Sequence, residues 1–148
     1  MAARRKLKTQ KDLLAFMVKH NACREAREFV ERFSPKHPAK LIWKACPHSD
    51  WLFWLGSRWN HEAALAYCAK CIKRIEAEHA INKPNHEQRH YINIAKCDYE
   101  RAKGVQADNG YDNYFYQNIT WAMYESLRAT RSYADEAYLR LKELRAMW

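Results

Sequence analysis

His86-Glu87-Gln88-Arg89-His90 has the H-E-x-x-H spacing. In that pattern two imidazoles one helical turn apart bind zinc and the glutamate acts as base on a metal-bound water. The chemistry needs both rings to face a pocket and a third ligand from elsewhere. The flanking residues argue against it. Pro84-Asn85 puts the motif at the very start of a helix, and Asn93 and Lys96 stand where the extended metzincin pattern would have Gly and His. Glu87 has a simpler role as a first-turn acid favoured by the helix dipole. A zinc hydrolase is therefore the third and weakest reading, His86, Glu87 and His90 are rejected as ligands, and no cofactor is expected.

Cys68-x-x-Cys71 is the second motif that suggests chemistry. A redox pair belongs at a helix start near a strand, where the thiolate gains from the dipole. This pair lies inside a helical pattern, where small apolar core residues are the better reading. The full set is Cys23, Cys46, Cys68, Cys71 and Cys97. An odd count with no export signal reads as unbridged thiols in a reducing compartment, and so as a cytoplasmic protein. The third candidate is Tyr111, Tyr114, Phe115, Tyr116 and Trp121, which lie near basic residues. Aromatics beside cations stack bases and bind phosphates, but an aromatic stripe at helical spacing reads first as core. With only 3 Gly there is no phosphate-cradling loop, and no Ser/His/Asp or Cys/His arrangement for nucleophilic catalysis is evident.

Composition bounds what can position these groups. The chain has 148 residues, 48% hydrophobic and 14% aromatic, with 4 Pro. That is enough apolar material for a core. It excludes a disordered or collagen-like chain, and it disfavours a turn-rich β architecture. No run approaches the roughly 20 apolar residues of a membrane span. The 26 Lys and Arg against 17 Asp and Glu give a net charge of +9, which favours acidic partners. Residues 1–8 read as a flexible basic tail, with Arg4, Arg5 and Lys6 joined by Lys70, Lys73, Arg74 and Arg128 as the exposed cations expected to bind.

The elements follow from spacing. Thr9 caps a first helix carrying Leu13, Leu14, Met17 and Val18. Cys23, Ala26, Val30 and Phe33 step by 3, 4, 3 along a second. Pro38 opens a short third helix with Leu41, Ile42 and Trp43. Ser49 caps a fourth, Trp51-Leu52-Phe53-Trp54-Leu55, apolar on every side and so expected at the centre of the fold. Asn60 caps a fifth, with Leu65, Cys68, Ile72 and Ile75 on one stripe. Asn85-x-x-Gln88 resembles a capping box for a sixth, which Gly104 is expected to end, before a turn at Asp108-Asn109-Gly110. From Asp112 the pattern is helical to the end, as one helix or two with a bend near 130–132. Trp121, Tyr124, Leu127, Ala134, Tyr138, Leu141 and Trp148 form the expected apolar seam. The sum is an all-α, single-domain helical bundle of about six or seven helices around a buried Trp-rich central helix.

Asn21-Ala-Cys-Arg-Glu-Ala-Arg-Glu-Phe29, then Ile42-Trp43-Lys-Ala-Cys46-Pro47-His48-Ser49-Asp50-Trp51-Leu52-Phe53-Trp54-Leu55, resembles a group of small helical bacterial and phage proteins of the immunity type. These carry Ala-Cys-x-Glu-Ala followed by Cys-x-x-x-Asp-Trp-Leu-x-Trp-Leu. Lys83-Pro84 occupies the place of their Arg-Pro turn, and beyond about residue 104 this chain is aromatic and charged where the group is alanine-rich. The resemblance implies an all-helical fold without catalytic residues, in which Cys46, Pro47, Asp50, Trp51 and Trp54 are structural. It also implies stoichiometric binding to a partner. The functional expectation is accordingly a non-enzymatic helical binding protein, such as a phage anti-defence or host-takeover inhibitor or an immunity-type protein. Its partner would be an acidic protein or a protein–nucleic acid complex, with direct nucleic-acid binding by the basic surface as the alternative. No membrane role is expected.

Overall fold

The computed structural model of the chain describes residues 6–109 and 113–147. Arg4, Arg5, Tyr111 and Trp148 from the expectations above lie outside them. Among the described residues there are eight helices and no strand: α1 (Gln10–Lys19), α2 (Arg24–Glu31), α3 (Ala39–Ala45), α4 (Ser49–Trp59), α5 (His61–Ile81), α6 (His86–Asn109), α7 (Asn113–Arg128) and α8 (Tyr133–Ala146). The protein is an all-α helical bundle, and no described helix is long and apolar enough to cross a membrane. The chain divides into two compact units, one of Met1–Leu55 with Arg140–Trp148 and one of Gly56–Leu139.

In the first unit the helix ends are set by local chemistry. Thr9 and Asp12 form a reciprocal capping box at the start of α1, each satisfying an amide that the first turn leaves without a helical partner. After α1, Asn21 adopts φ 57°, a left-handed geometry that asparagine tolerates better than most residues. The Ala22 amide then reaches back to the Met17 carbonyl at 2.9 Å, the six-to-one bond of a Schellman stop. Leu13, Met17, Ala26, Val30, Ile42 and Trp43 are buried, and Gln10 donates to the Val30 carbonyl at 3.2 Å. The expected basic tail is tied down at its end. Leu7 is only 7% exposed, and the Lys8 carbonyl accepts from the Ala39 amide at 3.0 Å, so burial and backbone pairing hold residues 7 and 8.

The Trp-rich helix α4 buries Leu52, Phe53, Leu55 and Ser57, while Trp51 and Trp54 are half-buried. An indole is large enough that it borders a core more often than it disappears into one. Trp51 packs against Phe29 and His48, with ring centroids 6.2 Å and 4.2 Å away.

In the second unit the expected caps are in place. Asn60 Oδ1 accepts from the Ala63 amide at 3.1 Å, and Asn85 and Gln88 cap α6 reciprocally at 2.8 and 3.0 Å. Leu65, Cys68, Ile72 and Ile75 form the buried stripe of α5. Gly104 does not end α6, which runs on to Asn109. A Cβ built at that position meets nothing within 4 Å, so the glycine is an exposed helical residue, tolerated at about 1 kcal/mol relative to alanine. The C-terminal pattern resolves into two helices broken at 129–132.

The seam expected along those two helices is on the outside. Trp121, Tyr124, Ala134 and Tyr138 are exposed, and Leu127 and Leu141 are half-buried. The buried stripe of α7 is Phe115, Asn118, Ile119, Ala122 and Ser126, with Glu125 among them, and it continues to Ala129 just past the helix end. Ala95 and Ala102 on α6 are also fully buried, each pair of alanines seven residues apart. Small residues at that spacing let two antiparallel helices approach closely. The stripe that permits close approach takes the core position, and the bulkier aromatic stripe, about 120° away around the helix, is left outside.

Candidate functional site

The outward face of α7 carries Tyr114, Trp121, Tyr124 and Arg128, spaced by 7, 3 and 4 residues and therefore on one side of the helix. Tyr114, Trp121 and Tyr124 are 49%, 51% and 43% exposed. Soluble proteins commonly expose single aromatics, but a row of three on one rigid helix calls for a cause. The row continues onto the start of α6. The Arg128 guanidinium lies 5.2 Å from the centroid of Tyr91 and 5.9 Å from that of Tyr124. It donates to the Tyr124 hydroxyl at 3.2 Å and sits 3.6 Å from Glu87. Trp121 meets Tyr124 edge to face, at 5.9 Å and 80°, an arrangement the ring quadrupoles favour. Arg128 thus bridges the Tyr91 and Tyr124 rings, and Tyr124 contacts Trp121, so these side chains form one contiguous exposed cluster.

Beneath this face, α6 and α7 hold a carboxyl pair that the sequence patterns did not single out. Asp98 and Glu125 are each 7% exposed. Burial, a hydrogen bond to Asp98 and the charge of Asp98 push the Glu125 carboxyl up to about 8, with Arg101 opposing. Arg101 donates to Asp98 at 3.0 Å. Asp98 follows Ala95 by three residues and precedes Ala102 by four, and Glu125 stands in the same relation to Ala122 and Ala129. That matched spacing in two neighbouring antiparallel helices was the only sequence signal for the pair.

The other nominated residues are placed as follows. Lys6, Lys70 and Lys73 are exposed, as is Arg128. Arg74 is not an exposed cation. Its guanidinium grips the buried Glu136 carboxylate through Nε at 3.2 and 3.1 Å and through a terminal nitrogen at 2.7 Å, because Glu136 falls on the inward side of α8. His86, Glu87 and His90 are exposed at the start of α6, and Glu87 is turned to Arg128. Among the described residues no group of three or more His, Cys, Asp or Glu comes together to hold a metal. Cys68 and Cys71 are fully buried in the core stripe of α5.

Phe115 is fully buried. Tyr116 is half-buried, its hydroxyl 2.8 Å from the His61 ring and its face under Arg58 at 4.3 Å. Burial pushes the Arg58 guanidinium below its ordinary value, offset in part by Tyr116.

The Cys46-Pro47 stretch closes a clamp inside the first unit. Arg145 donates twice to the Cys46 carbonyl, at 2.9 and 2.6 Å, and the Trp43 indole donates to the Leu144 carbonyl at 2.8 Å. Burial pushes the Cys46 thiol up, with its contact to the His48 backbone and Arg145 acting the other way, so it stays protonated and unreactive near neutral pH. Pro47 is exposed, and Asp50 is an exposed acid in the first turn of α4.

No family model, no curated protein sequence and no solved structure matches this chain.

Proposed function

We propose that this is a non-enzymatic binding protein that acts stoichiometrically on a protein partner, through the Tyr114–Trp121–Tyr124–Arg128 face of α7. The observation that carries the reading is the contiguous row of exposed aromatics bridged by Arg128. Trp, Tyr and Arg are the residue types that dominate the energetics of protein interfaces, and their value rises when they are held rigid before binding. The same face suits bases less well. Trp121 and Tyr124 stand edge to face and do not form a stacked platform, and the nearest cation already has Glu87 beside it. Inhibition of a host enzyme or neutralisation of a toxin, the action implied by the resemblance to immunity-type proteins, is the form of activity this surface fits.

The test is capture from a bacterial lysate by the full chain and by Trp121→Ala/Tyr124→Ala, each with and without nuclease. The expected result is a stoichiometric protein that survives nuclease and is lost from the variant. Retention by the variant overturns the site. Loss of every bound protein on nuclease treatment overturns the protein-partner reading. So does self-association of the pure protein that the variant abolishes.

A further inference from the structure

The charge of the chain is strongly uneven. Residues 1–48 hold 12 Lys and Arg against 4 Asp and Glu, and the remaining residues hold 14 against 13, so almost all of the net +9 lies in the first third. The fold then gathers much of this charge. Residues 8–11 pair antiparallel with residues 35–39: the Gln10 amide donates to the His37 carbonyl at 2.7 Å, the Lys11 amide to Pro35 at 3.2 Å, and the Ala39 amide to Lys8 at 3.0 Å. A bridge joins Thr9 to Pro38. Lys8 and Lys11 are thereby set beside Lys36 and the start of α3. There Lys40 and Lys44 are one helical turn apart on one face.

All five lysines are exposed. Among the described residues none of their ammonium groups is in an ion pair. The nearest acid in sequence, Asp12, is engaged in capping, where its Oδ2 accepts from the Lys8 and Thr9 amides at 3.1 and 3.2 Å.

We propose that Lys8, Lys11, Lys36, Lys40 and Lys44 form a docking site for the phosphate backbone of a nucleic acid. Like charges brought together by backbone pairing repel one another in the free protein, and a polyanion relieves that repulsion while releasing its own counterions. Lys40 and Lys44 are about 6 Å apart along the helix, close to the rise of two nucleotides of one strand at about 3.4 Å each. Point-charge ammonium groups on flexible stems suit sequence-independent backbone contact more than base reading. The site is built from residues of α1–α3 and the segments before them and shares no residue with the aromatic face of α7. It goes beyond the protein-binding reading and does not rest on it.

Fluorescence anisotropy of a labelled 20-base-pair duplex with the full chain tests it, over roughly 50–300 mM salt. The expected result is binding whose logarithm falls linearly with log salt, at about 0.9 per phosphate neutralised. Lys8→Gln/Lys40→Gln/Lys44→Gln should weaken binding at least about tenfold at 100 mM salt and lower the slope by about 1 per lysine removed. Lys70→Gln/Lys73→Gln should change it less than about twofold, and Trp121→Ala/Tyr124→Ala should leave it unchanged.

Absence of binding at 50 mM salt overturns the proposal. Equal weakening by the Lys70/Lys73 variant also overturns it, because the attraction would then be diffuse net charge. Equal affinity for polyglutamate overturns the commitment to nucleic acid. Loss of duplex binding in the Trp121/Tyr124 variant would move the nucleic-acid site to α7 and overturn both readings. Capture of a protein partner is scored separately, so either reading can fail alone.

Discussion

The Glu125 carboxyl is hydrogen-bonded to Asp98 across the buried seam between α6 and α7, and burial, together with this pairing, pushes it up to about 8. In the unfolded chain the same group ionises at its ordinary value near 4.5. Between that value and about 8 the folded state holds a proton that the unfolded state has lost. Stability therefore falls as pH rises through this window, by at most about 1.4 kcal/mol per pH unit from this group. Glu125→Gln keeps the shape and a donor for Asp98 but removes the titration. We expect urea midpoints of the two proteins to coincide near pH 5 and to diverge upward, the variant being more stable at pH 8 by about 1–3 kcal/mol. Parallel midpoints from pH 5 to 8 would mean that Glu125 is ionised throughout.

The two sides of α7 should answer mutation differently. Phe115→Ala empties a fully buried site and should cost about 3–5 kcal/mol. Trp121→Ala, on the exposed face, should change stability by less than about 1 kcal/mol. Thermal melts of the two variants decide this. A Trp121 variant as destabilised as the Phe115 variant would show that the aromatic face is packed in solution.

Arg74 and Glu136 make a bidentate pair in which Glu136 is the more buried member, 6% exposed against 26% for Arg74. Removing one partner takes a short charge-assisted contact from the other. Arg74→Met should cost about 2–4 kcal/mol, a range lowered from that of a fully buried pair because the guanidinium is partly screened. Adding Glu136→Leu to Arg74→Met should restore much of the loss. Chemical denaturation of the three variants closes a double-mutant cycle, and additive losses would show that the pair contributes no coupling.

In the first unit, Trp43 and Arg145 form a reciprocal clamp. The α3 indole satisfies the Leu144 carbonyl in the last turn of α8, and the α8 guanidinium satisfies the Cys46 carbonyl that ends α3. Trp43→Phe keeps the ring but orphans a buried carbonyl at about 1–3 kcal/mol. Arg145→Met should cost a similar amount. Amide exchange in α3 should quicken in both, and unchanged protection would remove the clamp from the account.

Gly104 offers a gain. It is helical and exposed with open space at its Cβ, so Gly104→Ala should stabilise by about 0.5–1 kcal/mol. A lowered melting temperature would show that α6 ends at 104 after all.

Helices and caps were legible because their signals are local. Thr9 with Asp12, Asn60 with Ala63, and Asn85 with Gln88 close hydrogen bonds within three residues, so spacing alone predicts them. The stripe Leu65–Cys68–Ile72–Ile75 was equally plain, since α5 has one candidate core face. On α7 both faces are apolar or aromatic, and local pattern cannot rank them. The choice fell to the stripe with Ala122, Ser126 and Ala129, which is fully buried, as are Ala95 and Ala102 on the neighbouring α6.

Helicity, the starts of most helices and the strongly basic balance are already written in the order of the residues. Capping, periodicity and charge are properties of neighbouring residues. Folding alone settles which aromatics are displayed, that Arg74 serves Glu136, that Asp98 meets Glu125, and that two separate lysine runs share one edge of the first unit. Each of these depends on residues distant in the chain approaching within a few ångströms. Close packing of small side chains and pairing of backbone segments bring them together, and no spacing within a single segment encodes that approach.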